Sequence, residues 1–214
     1  MPKAILFDLD GTLTDSGEGI INCAILGLQH FGLPVPDRET MRVFVGPPLR
    51  DTFFKFGVPA DKLDEAVEVY RSRYIPIGKF ENTPYPGIYD LLARLKAEGH
   101  KLYVATSKPE QMSMDILNKF ELTPYFDLLA GATLDGSRDT KADVIAYLLK
   151  QIGPQAEALM IGDTVYDVVG ANAHGIPTIG VSWGYGSIEE MKAAGAWGIA
   201  YTMEELHDLL NACP

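Results

Sequence analysis

Apolar positions along this chain follow two rhythms. Near the start, Ala4-Ile5-Leu6-Phe7 forms an unbroken apolar run that ends in Asp8-Leu9-Asp10-Gly11. Such a run fits a strand buried on both faces of a parallel sheet, where no polar face is needed. After Ser16 the rhythm turns helical: Ile20, Ile21, Ala24, Ile25, Leu28 and Phe31 recur at helical spacing, and Gly32 and Pro34 close the segment. No convincing strand pattern follows until about Asn82. The spacing predicts a short helix over 37–44, a stiff loop at Gly46-Pro47-Pro48, a helical turn or two over 49–56 and a longer helix over 61–74. That last helix carries Leu63, Ala66, Val67, Tyr70 and Tyr74 on one face. Thr83-Pro84-Tyr85-Pro86-Gly87 reads as loop.

Helices and apolar runs then alternate. A helix over 88–98 ends at Gly99, and a strand over 102–106 precedes a helix that Pro109 opens and that continues to Phe120. A strand over 126–130, a polar loop over 134–139 and a helix over 141–151 follow. Leu159-Met160-Ile161 leads into Gly162-Asp163, then come a helix over 165–173 and a strand over 178–181. Ser187 with Glu190 and Thr202 with Glu205 predict two capping boxes, each starting a short helix. Alternation of this kind predicts an α/β fold, a doubly wound, Rossmann-like parallel sheet built from residues 1–16 and 82–214. Residues 17–81 are expected to be an all-helical domain inserted after the first strand.

Composition narrows the partners. The chain has 214 residues, enough for one domain with a substantial insertion, and 18 basic against 29 acidic side chains give a formal net charge of -11. That balance argues against a nucleic-acid polymer as partner and leaves room for an anionic small molecule where charge is locally inverted. Cys23 and Cys213 provide neither a disulfide framework nor a Cys-based metal spacing and read as ordinary thiols. His30, His100, His174 and His207 are scattered without ligand spacing. Strand-like sequence begins by residue 4, which leaves no room for a signal peptide, and no apolar stretch reaches the ~18 residues of a membrane helix. The expectation is a cytoplasmic protein, a monomer or homodimer, without membrane contact.

Four sets of polar residues stand at the C-terminal ends of expected strands or at the starts of the helices after them. They are Asp8 with Asp10, Thr106 with Ser107, Lys141, and Asp163 with Asp167. In a parallel sheet all of them converge on one edge. Close carboxylates repel one another unless a cation lies between them, and scattered monodentate aspartates suit magnesium, which retains waters and bridges to phosphate oxygens. A hydroxyl and an ammonium suit an anion, and a free carboxylate suits nucleophilic attack through an acyl-phosphate. Plainer readings exist. Asp167 fits the first turn of any helix, Lys141 fits a solvated helix start although the dipole slightly disfavours a cation there, and Phe44, Phe53, Phe54 and Phe56 fit packing between helices better than stacking on a base. Gly184 and Gly186 read as a flexible loop.

These residues resemble the haloacid dehalogenase superfamily. Asp8-Leu9-Asp10-Gly11-Thr12-Leu13 is similar to its first motif, Thr106 after an apolar strand to its second, Lys141 to its third, and Gly162-Asp163 through Asp167 to its fourth. The resemblance implies a magnesium-dependent phosphatase acting on a small phosphorylated metabolite. Asp8 would be the nucleophile and Asp10 the acid and base, Thr106 and Ser107 would bind phosphoryl oxygens, and Lys141 would neutralise charge. The metal set would come from Asp8, Asp10, Asp163 and Asp167, with Asp163 a direct ligand and Asp167 a more distant one. The helical insert would be a cap that selects substrate. Val45-Gly46-Pro47-Pro48-Leu49-Arg50, Ala105-Thr106-Ser107-Lys108-Pro109 and Trp183-Gly184-Tyr185-Gly186 are similar to the phosphoglycolate phosphatase and 5′-nucleotidase-like branch, and Arg50 would meet an anionic group of the substrate. A phosphomutase of the β-phosphoglucomutase type shares both aspartates and a cap. A phospho-aspartate receiver domain shares the chemistry, but the insert and Asp10 speak against it.

Overall fold

The computed structural model describes residues 2–153 and 157–213. The chain divides into two compact units, one formed by Met1–Thr14 with Pro84–Pro214 and the other by Asp15–Thr83. Helices α1 (Gly17–His30), α2 (Arg38–Met41), α3 (Leu49–Lys55) and α4 (Leu63–Tyr74) lie in the second unit. The first unit carries α5 (Ile88–Ala97), α6 (Glu110–Lys119), α7 (Lys141–Ile152), α8 (Val165–Asn172), α9 (Ile188–Ala193) and α10 (Met203–Ala212).

The sheet of the first unit has six strands, β1 (Ala4–Phe7), β2 (Lys101–Pro109), β3 (Leu128–Ala132), β4 (Ala158–Gly162), β5 (Thr178–Val181) and β6 (Gly198–Ala200). They lie side by side as β3-β2-β1-β4-β5-β6, and neighbouring strands pair in parallel. Strand order reverses at β1, so a crevice opens beyond the C-terminal ends of β1 and β4, where doubly wound sheets bind ligands. The apolar run of β1 is explained by its two faces. Ile5 and Phe7 join the core shared with α5, α6 and α10, whereas Ala4 and Leu6 join the core shared with α7 and α8. Ile5, Leu6 and Phe7 are fully buried, each stabilising the fold by about 1.5–3 kcal/mol through transfer from water.

Some elements depart from expectation. The third strand of the sheet begins at Leu128, two residues later than the pattern suggests. Phe126 closes a 3-10 turn instead and stands edge-on to Phe7, with ring centres 6.1 Å apart. Strand β2 runs on to Pro109, with its register to β3 broken between Thr106 and Pro109, and α6 starts at Glu110 behind Pro109 as N-cap. Ser107 and Lys108 form the bulge. The edge strand β6 is too short, at three residues, to leave a periodic signal. Ser187 and Thr202 do cap α9 and α10 by accepting the N–H of Glu190 and Glu205, but Glu205 turns its carboxylate to the N–H of Tyr201 rather than back to the cap. Complete capping boxes occur at Thr140 with Asp143 and at Thr164 with Asp167, both beside the sheet's C-terminal edge.

In the helical unit the aromatics pack on one another. Phe44 meets Phe53 at 5.1 Å and Phe56 at 4.9 Å between ring centres, and Phe53 and Tyr70 continue the cluster. Phe44 and Phe53 are buried there, and only Phe54 of the four phenylalanines is exposed. Cys23 and Cys213 are free thiols, both buried. Among the described residues no helix is long and apolar enough to cross a membrane.

Helix α8 passes so close to the start of α7 that a Cβ on Gly170 would lie 2.7 Å from Cβ of Lys141 and 3.1 Å from the backbone nitrogen of Ala142. A Gly170→Ala change gains about 1 kcal/mol of helix propensity but costs about 1–3 kcal/mol of overpacking against atoms that cannot swing away. Net destabilisation is expected, read as a lower urea midpoint; a raised midpoint would show that the two helices separate freely.

Candidate active site

Asp8 follows the last residue of β1 and Asp163 the last residue of β4, and these two strands are neighbours with Phe7 opposite Ile161. Extended geometry turns successive side chains to opposite sides, so Leu9 between the aspartates is fully buried in the core. Asp167 sits in the first turn of α8. Its Oδ2 accepts the N–H and the hydroxyl of Thr164 at 3.0 and 2.8 Å, which is the capping box. Its Oδ1 is 2.7 Å from Nζ of Lys141.

Lys141 is the first residue of α7, fixed there by the Thr140 cap. Its buried ammonium reaches Asp8 Oδ1 at 2.8 Å, Asp167 Oδ1 at 2.7 Å and the carbonyl of Ala105 at 2.9 Å. The ammonium thus makes one hydrogen bond and two close ion pairs. Burial alone would lower the Lys141 pKa, yet the charges of Asp167 and Asp8 outweigh it and hold the ammonium above its ordinary range.

Asp163 is held differently. It accepts the N–H of Tyr185 at 2.8 Å and the hydroxyl of Thr12 at 3.2 Å, and Thr12 in turn accepts the indole N–H of Trp183 through its carbonyl at 3.2 Å. Gly11 and Gly184 both press on this carboxylate, leaving no space for a Cβ at either position, and Gly11 also has φ +81°. Gly184 and Gly186 are therefore close-approach positions against Asp163, not merely a loose loop. Their signal in the sequence was the Trp183-Gly184-Tyr185-Gly186 run itself.

One oxygen each from Asp8, Asp163 and Asp167 falls within a span of 4.8 Å. At an effective dielectric of about 20, two unit charges 4 Å apart interact by about 4 kcal/mol. Three carboxylates make three such repulsions, and the one ammonium contacts only two of them, Asp8 and Asp167. Burial, reinforced by Asp167, therefore raises the Asp8 pKa to about 6 against the pull of Lys141, and burial with Asp167 and Asp8 nearby raises Asp163 well above its ordinary value. Three negative groups against one positive leave two negative charges in excess, so this donor set fits a hard divalent cation. Asp167 is tied by Lys141 and by the Thr164 box, whereas Asp163 meets only neutral donors and keeps its charge uncompensated, which makes Asp163 the better direct ligand of the two.

Asp10 stands apart from that cluster. Its Oδ2 forms an ion pair with Nζ of Lys108, and its Oδ1 is buried without a hydrogen-bond partner. Its carboxylate is thus paired with a lysine and lies outside the cluster formed by Asp8, Asp163 and Asp167. Thr106 is buried on β2 and its hydroxyl accepts the N–H of Lys108 at 3.2 Å, while Ser107 lies half-buried on the bulge. Arg50 belongs to the helical unit, where it is exposed and salt-bridged to Asp64. Lys108 and Thr12 are the polar contacts that reading the sequence missed. Both lay inside runs already singled out, but a lysine before a proline and a threonine after a glycine carry no spacing signal of their own.

A family model described as haloacid dehalogenase-like hydrolase matches residues 5–181. The chain is 41% identical over 213 residues to the tyrosine-protein kinase PtkA of Mycobacterium tuberculosis, covering 98% of this chain and 73% of that protein. It is 42% identical over 191 residues to a 5′-nucleotidase of Pseudomonas aeruginosa, covering 88% and 86%. Among solved structures it is similar to that of a predicted phosphatase from Clostridium acetobutylicum, with a TM-score of 0.93, 42% identity and 99% of each chain covered.

The charge imbalance predicts how stability responds to a cation. With the Asp8 pKa raised in the folded state, that group favours folding below the ordinary carboxylate value, and this contribution is lost as pH rises through about 6. Magnesium should therefore raise the melting temperature at pH 7.5, by about 2.7 kcal/mol of stability at a hundredfold excess over its dissociation constant, and much less at pH 5. Asp163→Asn should melt higher than wild type without magnesium and lose the magnesium-dependent shift. Equal shifts at both pH values would contradict the competition between cation and protons.

Proposed function

This chain belongs to the haloacid dehalogenase-like hydrolase family, and from that premise we propose that it is a magnesium-dependent phosphomonoesterase acting on a small phosphorylated metabolite through an aspartyl-phosphate. The supporting observation is the buried trio Asp8, Asp163 and Asp167 around Lys141 at the reversal point of the sheet. Asp8 has the role of nucleophile. Its carboxylate oxygen bonds to phosphorus as the bond from phosphorus to the leaving oxygen breaks, and Asp10 gives a proton to that oxygen. In the second step Asp10 takes a proton from water, the water oxygen bonds to phosphorus and the Asp8–phosphorus bond breaks, releasing inorganic phosphate and restoring both groups. Lys141 compensates charge on Asp8 and on the phosphoryl group, and Thr106 and Ser107 offer donors to its oxygens. Magnesium held by Asp8 and Asp163, with Asp167 behind them, would supply charge neutralisation at the phosphoryl oxygens.

The substrate class follows the 5′-nucleotidase and phosphoglycolate phosphatase-like branch, with selectivity assigned to residues 15–83. Arg50 remains a candidate there for an anionic group of the leaving portion, because an exposed ion pair such as Arg50 with Asp64 is worth little and is easily exchanged for a ligand. A second reading replaces water by a hydroxyl acceptor, as the name of the mycobacterial relative says of that protein.

Phosphate release should be measured with and without magnesium across 2-phosphoglycolate, nucleoside 5′-monophosphates and sugar phosphates. Multiple turnovers that require magnesium are expected, with a loss of roughly a thousandfold or more in Asp8→Asn; full activity in that variant would rule out the aspartyl-phosphate. Arg50→Ala should change the order of preferred substrates or their KM, and an unchanged ranking with unchanged KM would remove Arg50 from the site. Phosphoryl transfer to a sugar or protein hydroxyl in place of water would favour the second reading.

A further inference from the structure

Besides Lys141, the C-terminal edge of the sheet holds a second buried ammonium, Lys108, whose side chain is only 6% exposed. Its position is built with some care. Ser107 and Lys108 bulge out between Thr106 and Pro109. The bulge is tied from one side by the N–H of Lys108 donating to the Thr106 hydroxyl at 3.2 Å. From the other side β3 presents Gly131, where a Cβ would lie 2.7 Å from the carbonyl oxygen of Lys108 and 2.8 Å from the nitrogen of Glu110. A bulge re-aims a side chain, and this one delivers a long amine to Oδ2 of Asp10. The other oxygen of that carboxylate, Oδ1, is buried and accepts no hydrogen bond.

We propose that Lys108 is a positioning residue for proton transfer: it grips Asp10 through Oδ2 and so fixes the rotation of the carboxylate that serves the oxygen of the leaving group. The proposal rests on the phosphomonoesterase reading. It also explains how two aspartates one residue apart take different duties. Asp8 is gripped by Lys141 and belongs to the cation cluster, whereas Asp10 is gripped by Lys108 and stays out of it. An ammonium on one oxygen fixes the rotation of the carboxylate, and a misplaced general acid loses most of its effect even when substrate still binds.

The test compares aryl phosphates of similar size whose leaving groups differ in their need for a proton. Phenyl phosphate requires protonation as it leaves; 2,4-dinitrophenyl phosphate does not. Wild type, Asp10→Asn, Lys108→Met and Lys108→Arg are assayed with magnesium, each after its melting curve confirms folding. Lys108→Met should lower kcat on phenyl phosphate by about a hundredfold, the low end for lost acid catalysis, and on the dinitrophenyl ester by only a few-fold, with KM little changed. Asp10→Asn should show the same contrast, and Lys108→Arg should restore most of the phenyl phosphate rate. Equal losses on both esters, or a rise in KM alone, would overturn the assignment of Lys108 while leaving the phosphatase reading intact. If Lys108→Met does not fold, Lys108→Arg decides: a selective partial loss on phenyl phosphate supports the proposal and an equal loss on both esters overturns it. If wild type releases phosphate from neither ester nor any metabolite, the phosphatase reading falls and this proposal with it.

Discussion

The contact on which the site depends is the ammonium of Lys141 between Asp8 and Asp167. Carboxylates taken out of water are costly unless a cation and hydrogen bonds compensate them, and breaking a buried pair leaves an uncompensated charge. Lys141 meets this demand by pairing with both carboxylates and donating to the carbonyl of Ala105 on β2. One side chain thereby links β1, β2 and α8 from the first turn of α7. A lysine is not favoured at the positive end of a helix dipole. The Thr140 and Asp143 box offsets this locally, and Gly170 of α8 allows the stem of Lys141 to lie against the neighbouring helix.

Charge is divided along β1 by geometry as much as by chemistry. Leu9 is anchored in the core, so Asp8 and Asp10 cannot share one partner without tearing it out. Each has its own lysine, from α7 and from the bulge of β2. Among the described residues Asp163 has none in contact, and it is the carboxylate pressed by two glycines and held by Tyr185 and Thr12. Neutral donors and close backbone fix its direction without cancelling its charge. That arrangement suits a ligand awaiting a cation better than a structural ion pair.

Much of this was legible in the chain before folding was considered. The apolar run before Asp8 and the helix opening at Lys141 are strong local signals, because burial on both faces and the onset of helical spacing each leave a pattern. Asp163 and Asp167 were legible from their place after a strand. Other features left no such pattern. The bulge at Ser107 and Lys108 shifts register without changing composition, and the start of β3 was obscured because Phe126 is apolar for the sake of Phe7 rather than of the ladder. Thr202 with Glu205 satisfies the capping-box spacing, but a tertiary choice, the N–H of Tyr201, takes the glutamate away. Spacing states which groups can meet, and the competing partners decide which do.

On the proposed reading Asp8, Asp10, Lys108, Lys141 and Asp163 form and discharge an aspartyl-phosphate, and nothing in that set distinguishes water from another hydroxyl as the acceptor. Relatives of nearly equal identity, 41% and 42%, bear the names of a protein kinase and a nucleotidase. If Asp10 serves both acceptors as the proton-transfer group, discrimination must come from what holds the acceptor in place rather than from the groups that move the phosphoryl. Water needs only exclusion of competitors, whereas a hydroxyl substrate needs a surface that binds it, at a cost in ordering that its contacts must repay. On this reading residues outside the sheet's edge carry the choice, and the buried charges at that edge are free to remain the same.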